Sequence, residues 1–249
     1  MSEATPGIRS IGLLRPFAWL GRGLRDLAHN PGASLFYGAA MAAAGAVILL
    51  TVAQLPYLFS AAISGFLLVG PMLATGLYDL SRRRERGEPT RLVDSMLAWR
   101  ENPSGLVGFG LFSLLAGTAW QVLSLVIVAM LYKGSAMQPL ALVVEILRDP
   151  QYTGLFLAYL GIGGILAAFV FALSVVSVPM LLDRKCDLLQ AMQASIGAVA
   201  ENPLPLALWA TLIMILTAAG FATGLLGFIV VMPLLGHASW HAYRDLVGP

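Results

Sequence analysis

The chain has 249 residues, of which 58% are hydrophobic and only 11% charged, with a formal net charge of +2 at neutral pH. A water-soluble domain of this length cannot hide so much apolar surface, and a mean hydropathy of +0.81 places the chain among multi-pass membrane proteins. One cysteine, Cys186, excludes an internal disulfide framework, and nothing in the charge pattern supports nucleic-acid binding.

Residues 1–15 are polar and carry Gly and Arg without an apolar run, so they read as an N-terminal cytoplasmic tail and not as a cleavable signal. Residues 16–249 read as one membrane domain. The stretch 16–29 (PFAWLGRGLRDLAH) is too polar to span. Phe17, Leu20, Leu24 and Leu27 share a helical face, with Arg22, Arg25 and Asp26 elsewhere, which is the pattern of an interfacial helix. Asn30-Pro31 opens span one, to about 53; Gln54 to Tyr57 is a tight turn, and span two follows over 58–81. A second amphipathic segment, 90–101, ends at Asn102-Pro103, where span three (103–131) begins. The insert 132–152 holds a short surface helix from Pro139 to Leu147, and span four covers 153–182. A third amphipathic segment, 186–200, ends at Asn202-Pro203, followed by span five (203–219) and span six (222–246). An apolar core of about 30 Å needs about 20 helical residues, so span five is expected to be short and upright.

These elements repeat three times, over 16–88, 89–185 and 186–249. Three residues before each Asn stand Leu27, Trp99 and Val199; six before, Leu24, Met96 and Ile196; ten before, Leu20, Leu92 and Met192. All are apolar at the spacing of one helix face, expected to press on the spans or the lipid. In the second span of each unit, Gly65 to Leu73 (GFLLVGPML) aligns with Gly227 to Leu235 (GFIVVMPLL), and Val178-Pro179-Met180-Leu181 is the weaker counterpart. Pro71, Pro179 and Pro233 should kink these helices. The fold class is therefore an all-α membrane protein of six spans in three tandem two-helix units, related by an axis along the membrane normal, each preceded by a cytoplasmic amphipathic helix.

Asn30, Asn102 and Asn202 are expected to be structural caps: Asn accepts from a free N–H of the new helix and Pro removes another donor. A cap-only role predicts that Asp or Ser could replace them. Of the 15 Lys and Arg residues, only Lys133 and Arg148 fall on the side away from the termini, which predicts cytoplasmic N- and C-termini. The basic cytoplasmic surface should favour anionic lipid headgroups. His237 and His241, four apart on the last helix, are the weak metal or haem candidates together with His29 or Cys186. Their surroundings, Trp240 and Tyr243, are ordinary for an interfacial aromatic belt, and no metal, cofactor or catalytic residue is assigned. No ionisable side chain lies near the middle of a span, which argues against a pump. Gly161, Gly163 and Gly164, and Gly220, Gly224 and Gly227, suit close helix packing within the chain or against a partner.

Over roughly residues 15–246, the repeated Asn-Pro starts and the Gly-Phe helices with their prolines resemble a bacterial family of six-span integral membrane proteins of unknown function, sometimes labelled as cytochrome c oxidase subunit I. The resemblance implies a bacterial inner membrane and carries no activity over. A haem–copper subunit needs several His inside its spans, and none of the three here is so placed. Mitochondrial carriers share the three-unit arrangement, but the acidic and basic gate residues expected after Pro71, Pro179 and Pro233 are missing. The expected role is a non-enzymatic accessory, assembly or scaffold subunit, packing through its Gly-rich spans against larger membrane partners, respiratory ones included, or against itself. The alternative is a passive or exchange-type transporter of a small neutral or amphipathic molecule.

Overall fold

The computed structural model describes residues 7–54, 73–134 and 139–248. Pro71, most of the aligned stretch 65–73, the turn at 55–57 and the first part of expected span two lie outside the described residues. Helices dominate the remainder: α1 (Arg15–His29), α2 (Pro31–Gln54), α3 over 73–85, and α4 (Leu92–Met96), which tightens into a 3-10 turn at Ala98–Glu101. After these come α5 (Pro103–Leu131), α6 (Pro139–Arg148), α7 (Thr153–Ser174), α8 (Ser177–Asp183), α9 (Leu188–Glu201), α10 (Pro203–Ala222) and α11 (Phe228–Leu246). Among the described residues, four stretches are long and apolar enough to cross a membrane: Pro31–Leu50, Pro103–Leu131, Pro150–Asp183 and Pro203–Ala222. The N- and C-terminal segments meet. Ile8 and Val247 form an isolated antiparallel bridge, with Arg9 N–H donating to Leu246 O at 2.9 Å and Gly248 N–H to Gly7 O at 3.0 Å.

Local chemistry moves several boundaries from where periodicity placed them. Span five is not short: α10 has 20 residues, enough for the apolar core. The expected sixth span begins at Phe228, because Thr223 to Gly227 form a turn in which Gly224 has φ +62° and the Thr223 hydroxyl accepts from Gly227 N–H. Pro179 does not kink a continuous helix. It cannot donate to the carbonyl of Val175, and the helix breaks between Ser174 and Ser177, leaving Pro179 in the first turn of α8. Pro233 stays inside α11. The second amphipathic segment is mostly a single short turn of α4, where Ser95 Oγ donates to Leu92 O at 2.8 Å and competes with the backbone ladder.

The three segments before the Asn-Pro corners share one burial register. Four residues before each Asn, Asp26, Ala98 and Ala198 are buried; seven before, Gly23, Ser95 and Ser195 are buried. Of the two surfaces expected to cover the apolar side chains six before, spans or lipid, the spans do not cover them. Leu24, Met96 and Ile196 are 54%, 49% and 48% exposed and point away from the protein. Five of the six buried residues are small, which lets a helix approach closely; Asp26 is the exception. The register continues beyond the corner. Three and four residues after each Asn, Ala33 and Ser34, Gly105 and Leu106, and Pro205 and Leu206 are buried; seven after, a buried aromatic side chain follows, Tyr37, Phe109 and Trp209.

Each Asn carboxamide also reaches a different part of the chain. Asn30 Oδ1 accepts from Ala33 N–H at 3.4 Å, while its amide donates to the carbonyl of Thr90 and to Thr90 Oγ1, just ahead of α4. Asn102 Oδ1 accepts from Gly105 N–H at 3.0 Å, and its amide donates to Cys186 O at 2.9 Å, just ahead of α9. Asn202 corrects the expectation of three caps, since it makes no cap bond to α10. Its Oδ1 accepts instead from Ile11 N–H at 2.8 Å, and its amide donates to Arg9 O at 3.0 Å, ahead of α1, and to Ala198 O of its own α9 at 3.2 Å. The competing interaction is the N-terminal segment, which occupies the oxygen that a cap would use.

Because all three carboxamides donate as well as accept, Asp cannot stand in for Asn. Asn102→Asp and Asn202→Asp should each lower stability by about 1–3 kcal/mol, nearly as much as Ala, by stranding buried polar groups. Thermal unfolding in one detergent checks this; Asp variants as stable as wild type would show that only the acceptor matters.

Candidate functional site

A dense polar cluster lies where α1, α2, α3 and α11 converge, and glycines bring those backbones together. A Cβ on Gly23 of α1 would lie 2.8 Å from Ala238 N and 2.9 Å from Leu234 O of α11. One on Gly38 of α2 would collide with the carbonyl of Ile229, the very carbonyl that Pro233 leaves without an intrahelical donor. On the opposite side, a Cβ on Gly236 would meet Leu77 of α3 at 2.6 Å. At such distances water is squeezed out and the polar side chains must satisfy one another.

Most of them do so in a directed chain, while the buried Trp240 Nε1 and His241 Nδ1 make no hydrogen bond among the described residues. Ser81 Oγ donates to Asp26 Oδ2 at 2.5 Å, so its oxygen is left to accept from His237 Nδ1–H at 2.8 Å. His237 Nε2 is then an acceptor, and the Ser34 hydroxyl donates to it at 2.9 Å, which fixes a neutral His237 with its proton on Nδ1. His241 Nε2 donates to Asp26 Oδ2 at 2.8 Å, and Arg84 bonds Asp26 Oδ1. His241 Nδ1 stands 3.5 Å from Glu85 Oε1, and Arg244 Nε lies 3.2 Å from Glu85 Oε2. Burial opposes the charge on Asp26, but the bonds from His241 and Ser81 outweigh it and hold the carboxyl below its ordinary value of 3.8. Glu85 is held low against burial in the same way, by His241 and Arg244.

Other carboxylates tie the elements around this cluster. Asp79, fully buried, takes Arg82 at 2.7 Å and Arg83 at 2.6 Å, while Arg82 also donates to Leu182 O at 3.0 Å. Asp183 accepts from Tyr243 Oη at 2.9 Å and from Arg86 at 3.1 Å. Asp245 accepts from Arg15 at 2.6 Å, from Trp19 Nε1 at 2.7 Å and from Arg22.

The structure thus brings His237 and His241 into one network, with their nitrogens directed at hydroxyls and carboxylates. His29 is exposed at the end of α1 and takes no part; Cys186 sits elsewhere, its Sγ 3.8 Å from Met180 O. Among the described residues, no three His, Cys, Asp or Glu side chains are grouped as metal ligands. Sequence reasoning missed Asp26, Ser34 and Ser81. One signal was available: Asp26 occupies the position that the other two units fill with Ala98 and Ala198. The Ser34 hydroxyl is fully buried and points into the protein, whereas the cluster opens outward as a pocket of about 310 Å³ lined by Arg22, Arg25, Asp26, Arg84, Glu85 and His241.

Between α5 and α7 lies a different kind of concavity. Trp120, Tyr159 and Gly163 line an apolar groove of about 560 Å³, and Tyr159 also lines a neighbouring cavity of about 410 Å³ that α6 closes through Ile146 and Leu147. Ser124 Oγ donates to Tyr159 Oη at 2.9 Å between them. The glycine-rich runs divide by use. The would-be Cβ of Gly220 meets the Phe228 ring at 2.5 Å and that of Gly163 meets Trp120 at 2.8 Å, so both serve packing within the chain. Gly161 and Gly164 have nothing within 4 Å.

The profile of a family described as "Predicted integral membrane protein (DUF2189)" matches residues 58–183, half of the chain. No curated protein and no solved structure matches it.

The Asp26 geometry sets a pH dependence. A carboxyl lowered on folding stabilises the fold fully above its unfolded value, and that contribution is lost as pH falls through the lower, folded value. Asp26→Asn should therefore lower stability by about 3–5 kcal/mol near neutral pH, as expected when one partner leaves a buried ion pair. The gap to wild type should be flat above about pH 5 and should narrow below the ordinary carboxyl value. Melting curves of both proteins across pH 3–8 check this; a gap that widens on acidification would contradict it.

Proposed function

We propose, for a chain that belongs to the DUF2189 family of predicted integral membrane proteins, that it is a non-enzymatic accessory or scaffold subunit of a bacterial inner membrane, built from three two-span units closed into a ring. In this reading the descent through α3 and the run of α11 supply the second and sixth spans. The meeting of the two termini supports an even number of crossings. The skewed distribution of Lys and Arg supports a cytoplasmic position for the termini and surface helices. The recurring burial register and the three Asn carboxamides support the three-unit ring.

The observation that carries the scaffold reading is how little of the outer part of the helices is covered. Of the 29 residues of α5, only Gly105, Leu106, Phe109 and Gly110 near its start and Ile127 near its end are buried. By contrast, Trp19, Leu106, Phe109, Met180, Leu181 and Trp209 belong to one apolar core at the face that carries the termini. A filled core on the proposed axis favours a scaffold over a transport path along it. The open face of Gly161 and Gly164 on α7, of which Gly164 lines the groove with α5, is where a partner helix can approach backbone to backbone.

Gly161→Leu and Gly164→Leu place side chains in open space, so both should melt like wild type. Purified from native membranes in mild detergent, wild type should retain a membrane-protein partner, and the two variants should lose most of it. Single-cysteine labelling in a Cys186→Ser background should reach Ser10 only from the cytoplasm and Lys133 only from outside. Partner-free wild type that carries a small solute across vesicle membranes would overturn the scaffold reading in favour of a transporter.

A further inference from the structure

The pocket of about 310 Å³ between α1, α3 and α11 holds three arginines, two acidic side chains and His241 in a small volume. Its carboxylates are already satisfied. Asp26 Oδ2 takes Ser81 and His241, Asp26 Oδ1 takes Arg84, and Glu85 faces His241 and Arg244. The arginines are not used up. A guanidinium has about five N–H donors. Arg22 directs Nη1 and Nη2 at Asp245, Arg84 directs Nη1 at Asp26, and Arg25 uses Nε on Gly21 O at 3.3 Å. The remaining donors border a concavity whose own negative charge is neutralised, and that arrangement suits a tetrahedral, multiply charged oxyanion.

The depth of the pocket narrows the choice of ligand. On α1 and just ahead of it, Leu13, Leu14, Phe17 and Leu24 are 52%, 67%, 52% and 54% exposed, although the helix has a protein-facing side available. In a membrane protein such a stripe rests on the acyl boundary, which puts the adjacent Arg25 and the pocket mouth at headgroup level. Met96 and Ile196 are exposed at the same register in the other two units, but their segments carry Ala98 and Ala198 where α1 carries Asp26. The acidic anchor that holds Arg84 and His241 at the pocket therefore exists in the first unit alone among these three segments.

We propose that this pocket binds a phosphate-bearing anion, with the headgroup phosphate of an anionic phospholipid as its source. Arg25 and Arg84 contribute the contacts, and Asp26 acts as a positioning residue that holds Arg84 and His241 at the wall. The site does not depend on the scaffold reading; it requires only that α1 lie at the membrane surface.

The test uses the full chain in a neutral detergent, with phosphatidylglycerol, phosphatidylcholine and inorganic phosphate as probes. Native mass spectrometry should show one tightly held phosphatidylglycerol that saturates before further lipid adds, and phosphatidylcholine should not replace it. Arg25→Gln should weaken that binding about tenfold, the loss of one charge-assisted hydrogen bond, with an unchanged melting temperature in the absence of lipid. Lys185→Gln removes one charge from an exposed site outside the pocket and should leave the affinity within about twofold, as expected where only screened charge is lost. Binding of inorganic phosphate that depends on Arg25 and competes with the lipid supports the same phosphate chemistry and identifies a soluble ligand as its source. Equal weakening by Arg25→Gln and Lys185→Gln, or no saturable binding of either probe, would overturn the proposal.

Discussion

Where a chain lying in the membrane interface turns to cross the bilayer, the first N–H groups of the new helix have no partners and little water to satisfy them. This protein places Asn before Pro at three such corners; Asn30 and Asn102 accept from an N–H of the new helix, Asn202 does not, and all three carboxamides reach beyond the corner. Each one has an amide to spare, and each spends it on the backbone just ahead of another amphipathic segment: Asn30 on Thr90, Asn102 on Cys186, Asn202 on Arg9. The third bond returns to the start of the chain. The corner that turns one helix into the membrane thus also positions the next segment, and the geometry around the corners follows. Buried residues sit four and seven places before the Asn, all small except Asp26, and an aromatic side chain is buried seven places after it.

The seam between the end of the chain and its beginning is the exception within this pattern. There α11 is held between α1 and α2 by close approaches at Gly23 and Gly38, and Asp26 stands where the other units have Ala. A buried carboxylate in a nearly dry contact is costly unless paired, and the His237, Ser81, His241 and Arg84 network exists to pair it. Removing one partner from such a network strands the rest, so the seam is either fully assembled or disrupted. The same Asp that closes the seam also holds the wall of the pocket, so closure of the fold and the arginine-rich cavity share one residue.

Much of the frame was legible in the sequence because its signals are local. Asn-Pro starts, apolar length and the 3–4 spacing of the amphipathic segments are read within some 20 residues, and the helices starting at Pro31, Pro103 and Pro203 stand where those signals put them. What escaped depends on contacts between distant parts of the chain. Asn202 looks like Asn102 in sequence, yet residues 9–11 take its cap. The outward turn of Leu24, Met96 and Ile196 could not be read from periodicity, since an apolar stripe does not say whether protein or lipid covers it. His237 and His241 were recognised as sharing a face, but their partners on α1, α2 and α3 lie 156 to 215 residues away. The break before Pro179 and the continuity through Pro233 show that a proline marks a weak point without determining the outcome, which packing decides.

The proposed closed ring of three units would make the order of the units along the chain immaterial, because each seam would be formed by packing and hydrogen bonds and not by the covalent link. Gly7 and Gly248 are hydrogen bonded, and Gly87 lies in an exposed turn between α3 and α4. The direct measurement is thermal unfolding of a circular permutant in which Pro249 is joined to Met1 and the chain is opened between Gly87 and Glu88. The ring predicts a monodisperse protein that unfolds in one transition at the wild-type temperature. A permutant that unfolds much earlier or in two separate steps would contradict it, and would show that the first unit is held to the second by the chain alone.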